Sequence, residues 1–179
     1  MEKHEFEQFV LEQGKDILQF CRLQANDRDI GNDLYQDTML KLLEKHKKIK
    51  LDQNAKSYAL SVSILLWKNR KKKYANRKRL VPMCSLEEMS EAEGDTLVDH
   101  KISTPEQTLL KKDERMEVQG FVQELPEKYR LPLLLYYSAQ MKVEEIAEVL
   151  KLPVGTVKSR LRKGRQIMKE KLEVLGYDR

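Results

Sequence analysis

Two short helical patterns separated by a proline constrain the fold of this chain more than any other feature. They lie in VEEIAEVLKLPVGTVKSRLRKG, residues 143–164. The first pattern predicts a helix with one buried apolar side, formed by Ile146, Ala147, Val149 and Leu150. Lys151-Leu152-Pro153 predicts a turn, and the second helix begins near Val154 because proline favours a helix start over a helix interior.

The second helix has two sides with different chemistry. A period of 3.6 residues groups its buried side as Val157, Leu161, Gly164 and Met168. The opposite side is polar and basic, with Gly155, Thr156, Ser159, Arg162, Lys163 and Gln166, flanked by Lys158 and Arg160. A helix-turn-helix motif needs this division, since one side packs and the other presents donors to base edges and phosphates in the major groove. An amphipathic helix pair with an ordinary solvated basic face explains the pattern alone equally well.

Composition limits the classes of protein to consider. The chain has 179 residues, 35% charged and 7% aromatic, which is typical of a soluble helical protein with one domain or two small ones. Its net charge of +5 agrees with a nucleic acid or another anionic surface as partner. Cys21 and Cys84 form no CxxC motif, which favours reduced thiols in the cytoplasm. The start MEKHEFEQF lacks the apolar run of a signal peptide, and no apolar run is long enough for a membrane span.

The first half of the chain predicts three helices. Helical spacing of apolar residues covers 6–24, and a second helix with an acidic start follows. A third helix begins near Ala55, and its apolar residues are Tyr58, Val62, Leu65 and Leu66. It continues into KNRKKKYANRKR, residues 68–79, where eight of twelve residues are Lys or Arg and none is acidic.

The composition then changes in a way that predicts a domain boundary. Residues 85–99 contain six acids, no base and no clean period, which is typical of a flexible linker. Thr104-Pro105 predicts a helix start, and that helix ends at Leu125-Pro126 before another with Leu131, Leu134, Leu135 and Tyr136 on its apolar side. We therefore predict an all-α fold with two small helical domains, 1–80 and 105–179, joined by an acidic linker at 81–104.

Four stretches together resemble one protein family. ELPEKYRLPLLLYY and the helix-turn-helix stretch, above all PVGTVKSRL, resemble the fourth domain of bacterial RNA polymerase sigma factors of the sigma-70 family, in the extracytoplasmic-function group. DIGNDLYQDTMLKLLEK resembles the helix with which these factors bind the polymerase clamp, and SYALSVSILLWKNRKKKYANRKR resembles their helix for the minus-ten element. The two domains are then identified as sigma domain 2 and sigma domain 4.

The resemblance implies a role for each matching residue. Contacts with the beta-prime clamp of core polymerase are expected from Asp33, Leu34, Gln36, Asp37 and Leu40. Minus-ten DNA contacts are expected from Tyr58, Trp67, Lys68, Arg70, Lys71, Lys72 and Lys73. Minus-thirty-five contacts are expected from Thr156, Lys158, Ser159, Arg160, Arg162 and Lys163, with Tyr129 and Arg130 at phosphates. Trp67 has two readings: it stacks on an unpaired base or packs at the end of the domain core.

The chain departs from the family pattern at three positions. Leu65 stands where the family commonly has Asn, Lys142 where it has a Ser or Thr cap, and Lys151 where it has a small residue in the turn. The first leaves the mode of minus-ten base capture open. The other two affect the local stability of the motif, since a lost cap costs about 1 kcal/mol.

We expect no catalytic residue, metal site or cofactor. The three histidines are scattered, there is no Gly-rich phosphate loop, and Cys21 lies on an apolar side. The resemblance implies a promoter-specificity subunit whose partners are core polymerase, through the beta-prime clamp and the beta flap, promoter DNA and an anti-sigma factor. A dimeric helix-turn-helix regulator, an RNA-binding antitermination protein and, third, an enzyme are the alternatives.

Overall fold

The computed structural model describes residues 3–45, 55–80 and 118–174 of the chain. All regular structure in these residues is helical, so the predicted all-α class is confirmed. The predicted linker and the helix start at Thr104 lie outside the described residues. The helices are α1 (Lys3–Ala25), α2 (Arg28–Glu44), α3 (Ala55–Leu80), α4 (118–124), α5 (Glu127–Tyr137), α6 (Val143–Leu150) and α7 (Val154–Val174).

The helices belong to two compact units. The first contains α1, α2 and α3, and the second contains α4, α5, α7 and most of α6. In the part of the chain that the structure describes, no helix combines the length and apolar character needed to cross a bilayer.

The first unit is held by a close crossing of α1 and α2. The tight turn between them uses Asn26 in the left-handed region, with φ of 54°. Asp27 then caps α2, and its carboxylate accepts a hydrogen bond of 2.7 Å from the Ile30 amide. At the crossing, a Cβ on Gly31 would lie only 2.5 Å from Arg22 Cα, so the two helices approach as closely as glycine allows.

The buried side of α3 differs from the prediction. Leu65, expected on the apolar side, is 58% exposed. The side that packs on α1 and α2 instead combines two aliphatic residues, Leu60 and Ile64, with the small residues Ala55, Ser57, Ala59 and Ser63. Alanine and serine let helices approach closely but add little to an apolar pattern. The prediction of which side of α3 is buried was therefore wrong.

The second unit is organised around α5, whose residues from Leu131 to Leu135 are all buried. The predicted stop at Leu125-Pro126 is confirmed, since α5 begins at Glu127. Helix α7 packs on α5 through Gly164, where an added Cβ would lie 2.9 Å from Leu133 Cδ1. This contact fixes which side of α7 faces inward.

Candidate nucleic-acid interface

The turn between α6 and α7 has the geometry that the sequence predicted. Helix α6 ends at Leu150 and α7 begins at Val154. Lys151 adopts a left-handed φ of 53°, and the Leu152 amide donates to the Ala147 carbonyl at 2.9 Å. These are features of the Schellman motif, which closes a helix C-terminus and redirects the chain. A short, fully hydrogen-bonded turn therefore sets the angle at which α7 leaves α6.

The start of α6 keeps half of a capping box. Lys142 stands at the cap and supplies no side-chain acceptor, but its backbone amide donates to Glu145 Oε2 at 2.7 Å. In a complete box the cap side chain would also accept from the helix backbone. Glu145 thus satisfies one donor at this end despite the departure at Lys142.

The two sides of α7 separate as predicted. Val157 and Leu161 are 0% and 3% exposed, and Gly164 is buried, whereas Met168 is only partly buried. On the other side Lys158, Ser159, Arg162 and Lys163 are exposed, with Thr156 and Arg160 partly exposed at its edge. Between residues 154 and 166 the helix carries five cations and no acid. The exposed side is therefore a basic, donor-rich helical surface of the kind that enters a DNA groove.

Local hydrogen bonds orient part of this surface. The Ser159 hydroxyl donates to the Thr156 carbonyl at 2.9 Å, which leaves its oxygen as an acceptor facing outward. Lys163 Nζ lies 3.4 Å from Gln166 Oε1, and Gln166 donates in turn to Glu170 at 2.9 Å. The only acids of α7 follow residue 169, so its negative charge lies at the C-terminal end.

Tyr129 and Arg130 of α5 have intramolecular contacts as well as partial exposure. Arg130 Nη1 donates to the Gln123 carbonyl at 2.8 Å, which anchors the guanidinium at the α4–α5 junction. Tyr129 lies beside Gly164 of α7, and Lys128 Nζ sits 4.9 Å from its ring centroid. Their expected phosphate contacts stay a prediction.

Sequence reasoning missed one cluster beside this surface. The Arg165 guanidinium stacks 5.0 Å from the Tyr136 ring centroid and 5.5 Å from that of Tyr137, which is 61% exposed. The two rings meet edge to face at 5.0 Å. Arg165 is distant in sequence from the two tyrosines, and only the packing of α7 on α5 brings them together, so no local pattern signals the cluster.

The acidic surface on α2 includes four of the five residues expected to bind polymerase. Asp33, Gln36 and Asp37 are exposed, and Leu40 is 55% exposed. The expectation for Leu34 was wrong, because its side chain is fully buried in the unit and has no surface to offer a partner. The correction follows from the α2 packing, which uses Leu34, Thr38 and Leu42 as its inward side.

The basic end of α3 has two sides. Tyr58, Leu65 and Lys72 recur at seven-residue spacing on the side away from the core, near the exposed Lys68. Trp67 instead follows the buried Leu60 and Ser63 around the helix and is partly buried, which agrees with the packing alternative. Lys73 is also exposed.

Two members of the basic run make contacts within the first unit. Lys71 Nζ lies 5.8 Å from the Trp67 ring centroid, one helical turn away. Arg70 Nη2 lies 2.5 Å from Asp37 Oδ2 on α2. The second contact joins a residue expected at DNA to one expected at polymerase.

The described residues contain no group of three or more His, Cys, Asp and Glu side chains that could hold a metal ion. Burial raises the pKa of the Cys21 thiol to about 12, although a hydrogen bond with Ser63 opposes the shift. A thiol in this state is a poor nucleophile, because the reactive thiolate is scarcely populated.

Comparisons with known proteins agree with this geometry. Residues 115–168 match the family described as Sigma-70, region 4, a segment that includes α4, α5, α6 and most of α7. The chain is 32% identical over 91 residues to the extracytoplasmic-function sigma factor SigW of Bacillus subtilis, covering 49% of each chain. It is 35% identical over 75 residues to the sigma-E factor of Escherichia coli K12, covering 42% of this chain and 39% of that one. The chain thus spans about half or less of the curated relatives that it matches.

Two solved structures share the fold. The sigma factor RpoE from Bartonella quintana, in complex with the anti-sigma factor NepR, has a TM-score of 0.71 at 19% identity, covering 98% of this chain and 99% of that one. CnrH, in complex with the cytosolic domain of CnrY, has a TM-score of 0.66 at 17% identity, covering 97% and 90%. The chain is therefore similar to sigma factors in three respects: residues 115–168 match sigma-70 region 4, its curated relatives over about half of the chain are extracytoplasmic-function sigma factors, and its fold is that of two solved sigma factors.

Proposed function

We propose that the chain is a transcription initiation factor that binds core RNA polymerase and directs it to promoters through their minus-ten and minus-thirty-five elements. The region-4 match carries the proposal, because it falls on the helices that present the basic side of α7. Residues 1–80 act as sigma domain 2, 81–104 as the linker and 105–179 as sigma domain 4. The protein works in the cytoplasm, and nucleotidyl transfer belongs to the polymerase.

In this proposal α7 reads the minus-thirty-five element. Base edges or phosphates in the major groove are contacted by Arg162, Lys163, Lys158 and Ser159. The edge of the groove is contacted by Thr156 and Arg160. Their exposure on a side without acids supports this assignment. Arginine and lysine donate to guanine, and the Ser159 oxygen can accept from a base donor, so the set can carry sequence preference.

The first unit supplies two further contacts. The exposed side of α2, with Asp33, Gln36, Asp37 and Leu40, docks on the beta-prime clamp, and the second unit meets the beta flap. The outward side of α3, with Tyr58, Lys68, Lys72 and Lys73, binds the separated minus-ten strand. Trp67 and Arg70 are partly buried on the other side of the same helix, so they meet DNA at the margin of this contact, next to the exposed Lys71.

An anti-sigma factor is a further proposed partner. It would cover the exposed partner surfaces while the factor is idle. The chain shares its fold with two sigma factors solved in complexes, RpoE with the anti-sigma factor NepR and CnrH with the cytosolic domain of CnrY. This likeness supports a partner of the same kind.

Reconstituted transcription tests the function. Core polymerase and the purified chain, with no other sigma factor, should initiate from promoters selected out of a random library. A dimeric regulator would bind DNA without the polymerase and start no transcript, which is the result that would overturn the proposal.

A charge reversal tests the docking surface. Asp37→Arg should abolish binding to core polymerase, since repulsion replaces attraction at the proposed contact. Glu12→Arg makes the same reversal at an exposed position of α1 and should keep wild-type affinity. Affinity is measured by fluorescence anisotropy with labelled chain, and helix content by circular dichroism. Equal losses in both variants would contradict a contact centred on Asp37.

A further inference from the structure

One ion pair in the first unit joins the acidic surface of α2 to the basic run of α3. The ligands proposed for these two surfaces carry opposite charges. Arg70 Nη2 of α3 lies 2.5 Å from Asp37 Oδ2 of α2, and their side chains are 34% and 50% exposed. Asp37 belongs to the acidic surface, whose ligand would be a basic protein. Arg70 belongs to the basic run, whose ligand would be a nucleic-acid phosphate. In the free chain, each residue therefore occupies the charged group with which the other would bind its own ligand.

The exposure of the pair makes it exchangeable. Solvent screens ion pairs at the surface, and their net contribution is small, so a charged ligand of comparable geometry can replace either partner. A carboxylate has two oxygens and accepts several donors at once. A cation from a docking protein can therefore bind Asp37 before Arg70 leaves, which gives the exchange a low-cost intermediate.

Arg70 differs in this respect from three lysines of the basic run. Lys68, Lys72 and Lys73 are exposed, whereas Arg70 is partly buried and bound to a carboxylate on another helix. Phosphate binding at the three lysines needs no change elsewhere in the unit. A phosphate can bind Arg70 only if Asp37 is left without a cation or pairs with a different one.

We propose that Asp37 and Arg70 form an exchange pair. In the free chain Asp37 holds Arg70 back from nucleic acid; a basic protein surface that docks on α2 takes over Asp37 and releases Arg70 to a phosphate. The inference rests on the proposed function and adds a coupling between its two binding steps. Because binding free energies are reciprocal, a phosphate on Arg70 also frees Asp37 for the docking protein.

The first test uses the free chain and a fluorescein-labelled 12-nucleotide oligothymidine. Anisotropy is measured at 50 and 200 mM salt. Asp37→Asn should bind more tightly than wild type, and one added phosphate contact should steepen the salt slope by ~0.7, an extra loss of ~2.6-fold between the two concentrations. Asp33→Asn removes the same charge one turn away and should give a smaller gain with an unchanged slope.

A double variant separates release of Arg70 from a general change in charge. Against an Arg70→Ala background, Asp37→Asn should have no larger effect than Asp33→Asn has in the wild type. Equal gains for the two single variants, or a full Asp37→Asn gain that persists without Arg70, would overturn the exchange pair.

The reciprocal arm measures affinity for core polymerase. Arg70→Ala should tighten it by about two- to fivefold, because no intramolecular cation then competes for Asp37. Failure of the wild-type chain to bind core polymerase would overturn the proposed function. A chain that binds core polymerase normally but shows no tightening and no coupling in the oligothymidine cycle would overturn the exchange pair alone.

Discussion

Lys151, in the turn between α6 and α7, has a left-handed backbone conformation that residues with a side chain rarely adopt. Its φ of 53° lies in the region that favours glycine, and its amide donates to the Glu148 carbonyl at 3.2 Å. A side chain there meets the following carbonyl and costs roughly 1–2 kcal/mol. The sequence indicated the turn correctly, but only the backbone geometry shows that its central residue is strained.

Lys151→Gly should therefore stabilise the second unit by about 0.5–1 kcal/mol, since greater freedom of glycine in the unfolded chain offsets part of the relief. The free energy of opening is measured from hydrogen exchange of α7 amides. Lys169→Gly, at an exposed interior position of α7, serves as the control and should cost about 1 kcal/mol. A loss of similar size at Lys151 would contradict the strained turn.

Cys21 gives a prediction about pH. Burial raises the pKa of its thiol to about 12 from 9.0, so the folded chain prefers the neutral thiol. This preference contributes stability below pH 9, and the contribution is lost as pH rises toward 12. Iodoacetamide at pH 8 should leave Cys21 unmodified in the folded chain and alkylate it in urea, as read by peptide mass spectrometry. Rapid alkylation without denaturant would show an accessible thiolate.

At the scale of elements, the structure separates what helical periodicity could and could not predict. The buried sides of α6 and α7 followed from large aliphatic residues at helical spacing, including Ile146 and Leu161. The buried side of α3 did not, because alanine and serine there allow close contact without a strong apolar signal. Leu34 was expected at the polymerase contact, and only the packing of α2 shows that it belongs to the core.

That crossing makes a graded prediction for two glycines. In Gly31→Ala the new Cβ would meet Arg22 Cα at 2.5 Å, and because backbone cannot yield easily, we expect a loss of about 1–3 kcal/mol. In Gly14→Ala the contact is the Tyr35 hydroxyl at 2.9 Å, the end of a side chain that can turn aside. Urea unfolding followed by Trp67 fluorescence should rank Gly31→Ala as clearly the less stable variant, and the reverse order would contradict the close crossing.

At the scale of the whole molecule, the two units differ in how far sequence could predict their sites. The proposed site of the second unit lies mostly on one helix, so local spacing was sufficient to group Arg162, Lys163 and Ser159. The sites of the first unit meet across helices, and the contact between Asp37 and Arg70 spans 33 positions. Such a pair depends on tertiary packing, as does the stacking of Arg165 on Tyr136, and no local pattern reports either.

In the proposed function, α7 reads promoter DNA as part of a polymerase holoenzyme. The most direct measurement is the base preference of that holoenzyme, as affinity over single-base variants of a selected promoter at two salt concentrations. Arg162→Ala should relax the preference at one or two upstream positions, since a base contact gives about 1–3 kcal/mol of discrimination. Lys169→Ala, at an exposed position of α7 paired with Glu173, should keep the wild-type profile. An unchanged profile in both Arg162→Ala and Lys163→Ala would mean that α7 does not read the promoter.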